Sequence, residues 1–257
     1  AVGCSIGRYF RRMQVAVEVC VTSVAEAVAA QLAGADTVEI CTWLACGGIT
    51  PSSGLVDAVR TAVKIPARVL VRPTPDGFWY DPAALHALFL DAEIFGGGAI
   101  GLVTGGLTSA QAMDRELMRT VKELAPESEL TFHRAMDHAA DPQEVLAGCL
   151  ALGVDRILTS GGANTALEGI AVLKLLVNTA GEHCLVAAAG GIRPENVVEI
   201  VERTGVQEVH FAAQKLTRAR VDKIALSSMH GATSFGVEPD MAKIEGVLNA
   251  LVKAGLR

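Results

Sequence analysis

Two hydrophobic periods alternate along the chain. Short β-branched runs recur at "VAVEVC" (15–20), "TVEIC" (37–41), "ARVLVRP" (67–73) and "AIGLVTG" (99–105). They continue at "ELTFHRA" (129–135), "RILTS" (156–160), "LVAAAG" (185–190) and "EVHFAA" (208–213). Between them lie segments with apolar residues at helical spacing, such as 23–35, 81–97 and 141–154. Asp81-Pro82 and Asp141-Pro142 place an N-cap and an N1 proline where helices are due to start. Gly34 and Gly153 stand where helices are due to stop. Strand alternating with helix predicts a parallel sheet. Eight such units in about 240 residues predict a single α/β domain, a closed (β/α)8 TIM barrel over 15–257. A doubly wound open sheet is the alternative. It is weaker, because no G-x-G-x-x-G follows the first run.

The strand runs carry polar residues at their C-terminal ends, and period-two alternation says which way those residues face. "VEVC" (17–20) and "VEIC" (38–41) each write a carboxylate, a spacer and a thiol. Val17 and Val19 then face the helices, and Glu18 and Cys20 face the barrel interior. Glu39 and Cys41 do the same on the next strand. Arg72, Thr104, His133, Ser160 and His210 end other runs at the same rim, where barrels of this kind build their sites. The same parity sets Arg72 inward with Arg68 and Leu70, and His133 inward with Thr131 and Ala135. It puts Phe132 and Arg134 on the opposite face. Buried charges need partners, so Glu18, Glu39 and Arg72 are expected in one network, joined by His133 across the mouth.

Each group admits two chemistries. Thiolates are soft donors, and Cys20 and Cys41 on adjacent strands suit Cu(I) or zinc. Buried cysteine is also a small hydrophobe that packs well, and chemistry alone favours packing. Cys46 on the following loop is a candidate third sulfur; Cys149 and Cys184 read as packing residues. Facing carboxylates at Glu18 and Glu39 would raise one pKa, as in a general acid, unless Arg72 stabilises both anions. A catalytic set of Glu18, Glu39, Arg72 and His133 follows for an enzyme. "LTSGGANTA" (158–166) and "AAGGIRPEN" (188–196) offer Ser160, Gly161, Gly162, Gly190 and Gly191 as backbone donors to a small-molecule anion such as a phosphate. Plain turn chemistry is the other explanation for the glycines.

Composition narrows the classes. Among 257 residues, 51% are hydrophobic and the formal net charge is −6 with scattered Lys and Arg, which argues against nucleic acid as a partner. No run reaches the roughly 18–20 apolar residues of a membrane span, so no membrane partner is expected. Six cysteines in a chain of this size are expected to be reduced and cytosolic. Residues 1–14 hold Arg8, Arg11 and Arg12 and no acid. That is a scrap of a transit peptide or a disordered N-terminal extension, and the short length favours the extension. Segment 214–239, with Met229 and His230, reads as a variable connection or a lid over the rim.

"VEVC", "VEIC", "GGITPSSG" (47–54), "VRP" (71–73), "TFHRAMD" (131–137), "ILTSGG" (157–162), "AAGGI" (188–192) and "EVHFAA" together resemble the CutC family of copper-homeostasis proteins, in order from about Val15 to Ala213. The resemblance implies a TIM barrel, a cytoplasmic setting and a homo-oligomer, dimer or tetramer. It also implies a role in copper handling, with a copper ion, Cu(I), bound by Cys20 and Cys41. The family's usual Arg and Gly-Gly-Asp stretch after Arg72-Pro73 is replaced here by "TPDGFWY" (74–80).

Overall fold

A computed structural model describes residues 14–97, 100–218 and 235–257. The eight runs form strands β1 (Ala16–Val21), β2 (Thr37–Ile40), β3 (Ala67–Leu70), β4 (Gly101–Thr104), β5 (Leu130–Phe132), β6 (Arg156–Thr159), β7 (Leu185–Ala189) and β8 (Glu208–Ala212). They pair in parallel in sequence order, and β8 closes on β1. The helices are α1 (Val24–Ala33), α2 (Ser53–Ala62), α3 (Pro82–Phe95), α4 (Arg115–Leu124), α5 (Pro142–Leu152), α6 (Ile170–Ala180), α7 (Val197–Thr204) and α8 (Met241–Lys253). This is a (β/α)8 TIM barrel.

Local chemistry sets the helix ends. Asp81 accepts from the Ala84 N–H and Asp141 from those of Gln143 and Glu144, each with proline in the first turn. α1 and α5 close on Gly34 and Gly153 at φ 98° and 62°, a left-handed conformation that glycine adopts without a Cβ penalty.

The main apolar core lies outside the barrel, between strands and helices. Val17, Val19, Val38, Ile40, Val69, Leu102, Phe132, Ile157, Val186 and Val209 belong to it and are buried. The barrel interior is different. Only small apolar clusters fill it near the mouth, Cys20 with Cys41, Leu70 and Val103, and Leu158 with Ala187 and Ala189. Charged side chains fill the layer beneath.

Two segments differ from expectation. β5 ends at Phe132, because the His133 side chain accepts the Ala135 N–H and turns the chain into a short 3-10 segment at Arg134–His138. The flanks of the expected 214–239 connection form an antiparallel ribbon, β9 (Gln214–Arg218) with β10 (Phe235–Pro239). Its interior, 219–234 with Met229 and His230, lies outside the described residues, as do residues 1–13 of the expected extension.

Candidate functional site at the barrel mouth

The site stands on a buried ion network. Arg68 and Arg156 point into the barrel beside Glu18 and Glu208. Glu18 accepts from Arg68 Nη1 at 2.5 Å, from Arg156 Nη2 at 2.5 Å and from Thr37 Oγ1 at 3.3 Å. Its contact with His210 Nδ1 is 2.8 Å. Glu208 bonds both arginines, at 3.2 and 2.5 Å, and Arg68 reaches outward to the half-exposed Glu129 at 2.9 Å. Gly101 makes room for this: a Cβ there would lie 2.9 Å from Arg68 Cγ. Burial by itself would raise the Glu18 carboxyl, but Arg156, Arg68 and the bond to His210 hold it well below the usual carboxylate range.

The expected network therefore exists with different members. Arg72 is not in it. Its Nη1 donates to the carbonyls of Cys46 and Gly48 at 3.0 and 2.8 Å, and its Nη2 to that of Pro75 at 2.8 Å. The strand ladder ends at Leu70, so Arg72 lies on the loop and braces the rim rather than the interior. His133 does not join the acids either. Arg68, set inward by parity, is the second residue of β3; Arg156 and Glu208 are the first residues of β6 and β8 at inward parity, so alternation could have found them too.

One layer higher lie the thiols. Cys20 Sγ and Cys41 Sγ are 3.2 Å apart, and Cys20 Sγ is 3.6 Å from Glu39 Oε1. Ligand atoms of Cys20, Glu39 and His210 all lie within 4.8 Å of one another. Cys20 faces the mouth cavity; Cys41 sits behind it, fully buried, under Gly48, where a Cβ would come within 3.4 Å of its sulfur. Hydrogen bonding to Cys41, then burial and the charges of Glu39 and Glu18, push the Cys20 thiol well above its ordinary value. Burial raises Glu39, with Glu18 adding and His210 opposing. Burial would depress His210, but Glu39 and the bond to Glu18 raise it.

This donor set fits a soft cation. The Glu39 Oε2 atom is buried without a hydrogen-bond partner among the described residues, which a bound cation would satisfy. The spacing sets a condition. At metal–sulfur bonds of about 2.3 Å, two sulfurs in line would stand about 4.6 Å apart. The thiols must therefore spread, or the ion must sit off their line with Glu39 or His210 as a third donor.

Above the thiols opens a cavity of about 610 Å³. Cys46, Arg72, Phe78, His133, Arg134 and Lys243 contribute to its wall, together with Cys20, Glu39, His210, Gly190 and Gly191. Glu18, closed off in the layer below, does not. Arg134 was expected on the helix face; it reaches the cavity because the chain leaves the strand at His133. The His133 ring meets Phe78 edge-on at 5.0 Å. Burial, then the Arg72 charge, lowers its pKa to about 3, so the imidazole is neutral. Nδ1 accepts the Ala135 N–H, so Nε2 carries the proton, and it has no partner among the described residues. Cys46 donates its thiol proton to the Trp43 carbonyl at 3.0 Å.

The two glycine loops differ. Asp137 Oδ1 takes up the N–H groups of Ser160 and Gly162 at 2.8 and 3.1 Å and the Thr159 hydroxyl at 2.5 Å, while Oδ2 holds Arg134 Nε at 2.7 Å. Gly161 N–H donates to Thr159 Oγ1 at 2.9 Å. The Ser160-Gly161-Gly162 amides thus have internal partners, and the cavity wall includes Gly190 and Gly191 instead.

Comparison with known proteins agrees with this architecture. The model of the CutC family matches residues 15–215. The chain is 35% identical over 244 residues to the copper homeostasis protein cutC homolog of Homo sapiens, covering 92% of this chain and 88% of the relative. It is 40% identical over 204 residues to a family protein CutC of Xylella fastidiosa (strain 9a5c), covering 79% and 76%. The crystal structure of CutC from Streptococcus agalactiae superposes with a TM-score of 0.73 at 29% identity, over 77% of this chain and 98% of that one. Phosphoribosylanthranilate isomerase from Thermotoga maritima, at 12% identity and a TM-score of 0.57 over 93% and 99% of the two chains, shares the fold alone.

Proposed function

The chain belongs to the CutC family, and from that premise we propose that its barrel mouth takes up Cu(I) as cargo through Cys20 and Cys41. The observation that carries this is the pair of sulfurs 3.2 Å apart, with Glu39 and His210 donor atoms beside Cys20. Two thiols, an imidazole and a carboxylate in a buried layer favour a soft monovalent ion over a hard one. The cation enters past Cys20, which lines the cavity, and Cys41 closes on it from behind. The network of Glu18, Arg68, Arg156 and Glu208 is the floor that fixes His210 and keeps β1 in place. Anaerobic titration against a chromophoric Cu(I) chelator tests the proposal. Cys20→Ser and Cys41→Ser should each weaken binding at least about hundredfold, near 2.7 kcal/mol. Glu39→Gln, which keeps an amide oxygen, should change it by less than about tenfold. Unchanged affinity in the double cysteine variant ends the proposal.

A second reading, a TIM-barrel enzyme acting on a small substrate, is favoured by the cavity itself. A volume of about 610 Å³ suits an organic molecule and exceeds what an ion needs. Glu39 and His133 would face such a molecule, and Arg72 would position the rim loops. Glu18, held by two arginines, would act only through His210. A thermal-shift screen of small metabolites, with and without Cu(I), tests it. A screen in which no compound stabilises the protein counts against it.

A further inference from the structure

The cavity wall beside β8 carries a cation that the copper reading does not use. Lys243 lies in the first turn of α8, and its Nζ donates to the Ala212 carbonyl at 2.7 Å and lies 5.1 Å from the Phe211 ring centroid. It forms no ion pair among the described residues. Asp240, three residues before it at the helix N-cap, gives one carboxylate oxygen to Lys215 at 3.2 Å and to the Lys243 backbone N–H at 3.1 Å. Burial, and then the neighbouring Arg193 charge, lowers the Lys243 pKa, with the Asp240 charge opposing. The ammonium is therefore half-buried near a second cation, with Asp240 acting on it but no carboxylate of the described residues within ion-pair distance.

The loop after β7 adds donors at the same place. α8 packs directly on it, since a Cβ on Gly246 would lie 2.7 Å from Pro194 Cγ. Gly190 and Gly191 are both left-handed, at φ 93° and 70°. Their Cα atoms press against the neighbouring loop, where added Cβ atoms would lie 3.2 Å from Ser160 Cβ and 3.1 Å from Thr165 Cγ2. The Asn196 side chain holds the turn by donating to the Gly191 carbonyl at 2.8 Å and accepting the Arg193 N–H at 2.9 Å. No backbone partner takes the Gly190 or Gly191 amide among the described residues. Successive amides in a fixed turn, next to a lysine, make an anion-binding concavity. His133 supplies an independent observation elsewhere in the lining of the same cavity: it is only 4% exposed, and its Nε2–H has no partner among the described residues.

We propose that the cavity binds a small organic phosphate, with the phosphate against Lys243 and the Gly190–Gly191 amides and a hydroxyl or carbonyl oxygen on His133 Nε2–H. A tetrahedral dianion can accept from the ammonium and both amides at once, whereas a planar carboxylate suits the fork of an arginine. This rests on the second reading, that the cavity holds an organic molecule, and names the class of that molecule.

The test is calorimetry and thermal shift on the full chain in phosphate-free buffer, with four probes: inorganic phosphate, ribose 5-phosphate, ribose and gluconate. Inorganic phosphate and ribose 5-phosphate should stabilise the protein and compete with one another, while ribose and gluconate at equal concentration should not. Lys243→Met should weaken both phosphates about tenfold. His133→Leu should leave inorganic phosphate in place and weaken ribose 5-phosphate about fivefold. Lys174→Met, on the outer side of α6, should change neither. Absence of any phosphate effect, or phosphate binding that Lys243→Met leaves intact, overturns the proposal. Stabilisation by ribose or gluconate without phosphate, lost in His133→Leu, would overturn the phosphate assignment and leave the cavity reading standing. Silence from all four probes would count against the inference alone, while a response to other molecules in the metabolite screen would still support an enzyme site.

Discussion

Replacing Glu18 by glutamine separates a structural carboxylate from a catalytic one. The carboxylate is fully buried and accepts from Arg68 and Arg156, each at 2.5 Å, with His210 at 2.8 Å. Glutamine keeps the shape but removes the charge. Arg156, itself fully buried, would be left with Glu208 as its ion-pair partner among the described residues, and Arg68 with Glu208 and the half-exposed Glu129. Breaking one side of a buried ion pair costs about 3–5 kcal/mol. The amide oxygen can still accept one hydrogen bond, so about 3 kcal/mol is expected for Glu18→Gln and about 5 kcal/mol for Glu18→Ala. In a chain of this size the glutamine variant should melt roughly 6–12 °C lower. Urea unfolding followed by circular dichroism measures the loss. The effect should fade in acid. Folding lowers the Glu18 pKa from 4.5, so its contribution is whole above that value and disappears as pH falls through the folded value. The two proteins should therefore converge at low pH. A Glu18→Gln protein within about 1 kcal/mol of the parent at pH 7 would refute the structural assignment.

Other outcomes follow from neighbouring contacts. The Cys20 proton is held well above its ordinary pKa, and a bound metal must displace it. Cu(I) affinity should therefore rise about tenfold per pH unit for each proton released between pH 6 and 8, and chelator competition giving a flat profile would contradict thiolate binding. Asp137→Ala removes the acceptor for the Ser160 and Gly162 amides and for Thr159 and Arg134, and should cost about 2–4 kcal/mol in urea unfolding. It should also speed proteolysis within 160–169; equal cleavage rates would show that the loop is held by something else. A Cβ on Gly169 would lie 1.8 Å from the Ser160 carbonyl oxygen, so Gly169→Ala must displace backbone. A loss of about 3 kcal/mol or more is expected, and near-parental stability would mean that the loop gives way freely.

Much of the barrel is written in local terms. The alternation of "VEVC" and "VEIC" and the caps at Asp81, Asp141, Gly34 and Gly153 require only period and propensity, and each took its expected place. Parity also set Cys20, Glu39 and His133 facing inward. Parity does not give depth. Glu18 and Cys20 share a face, yet one lies in a sealed ionic layer and the other in a cavity wall, because the barrel stacks inward residues in layers at different heights. Nor does it give partners across the closure. Glu18 meets Arg156 and His210 from positions 138 and 192 residues away, and only the registers fixed by all eight strands bring them together. Arg72 shows the same limit at a loop: its sequence position marks the rim, but its hydrogen bonds depend on where the backbone carbonyls of Cys46, Gly48 and Pro75 come to rest. The sequence by itself determined the order of the elements and the face each side chain takes within a strand, though not at Arg72 and Arg134, where the chain has already left the strand, because order and alternation are properties of a single strand or helix. Tertiary closure decided which charges neutralise one another and which donors stay unpaired over the cavity, because those are distances between strands that no local pattern encodes.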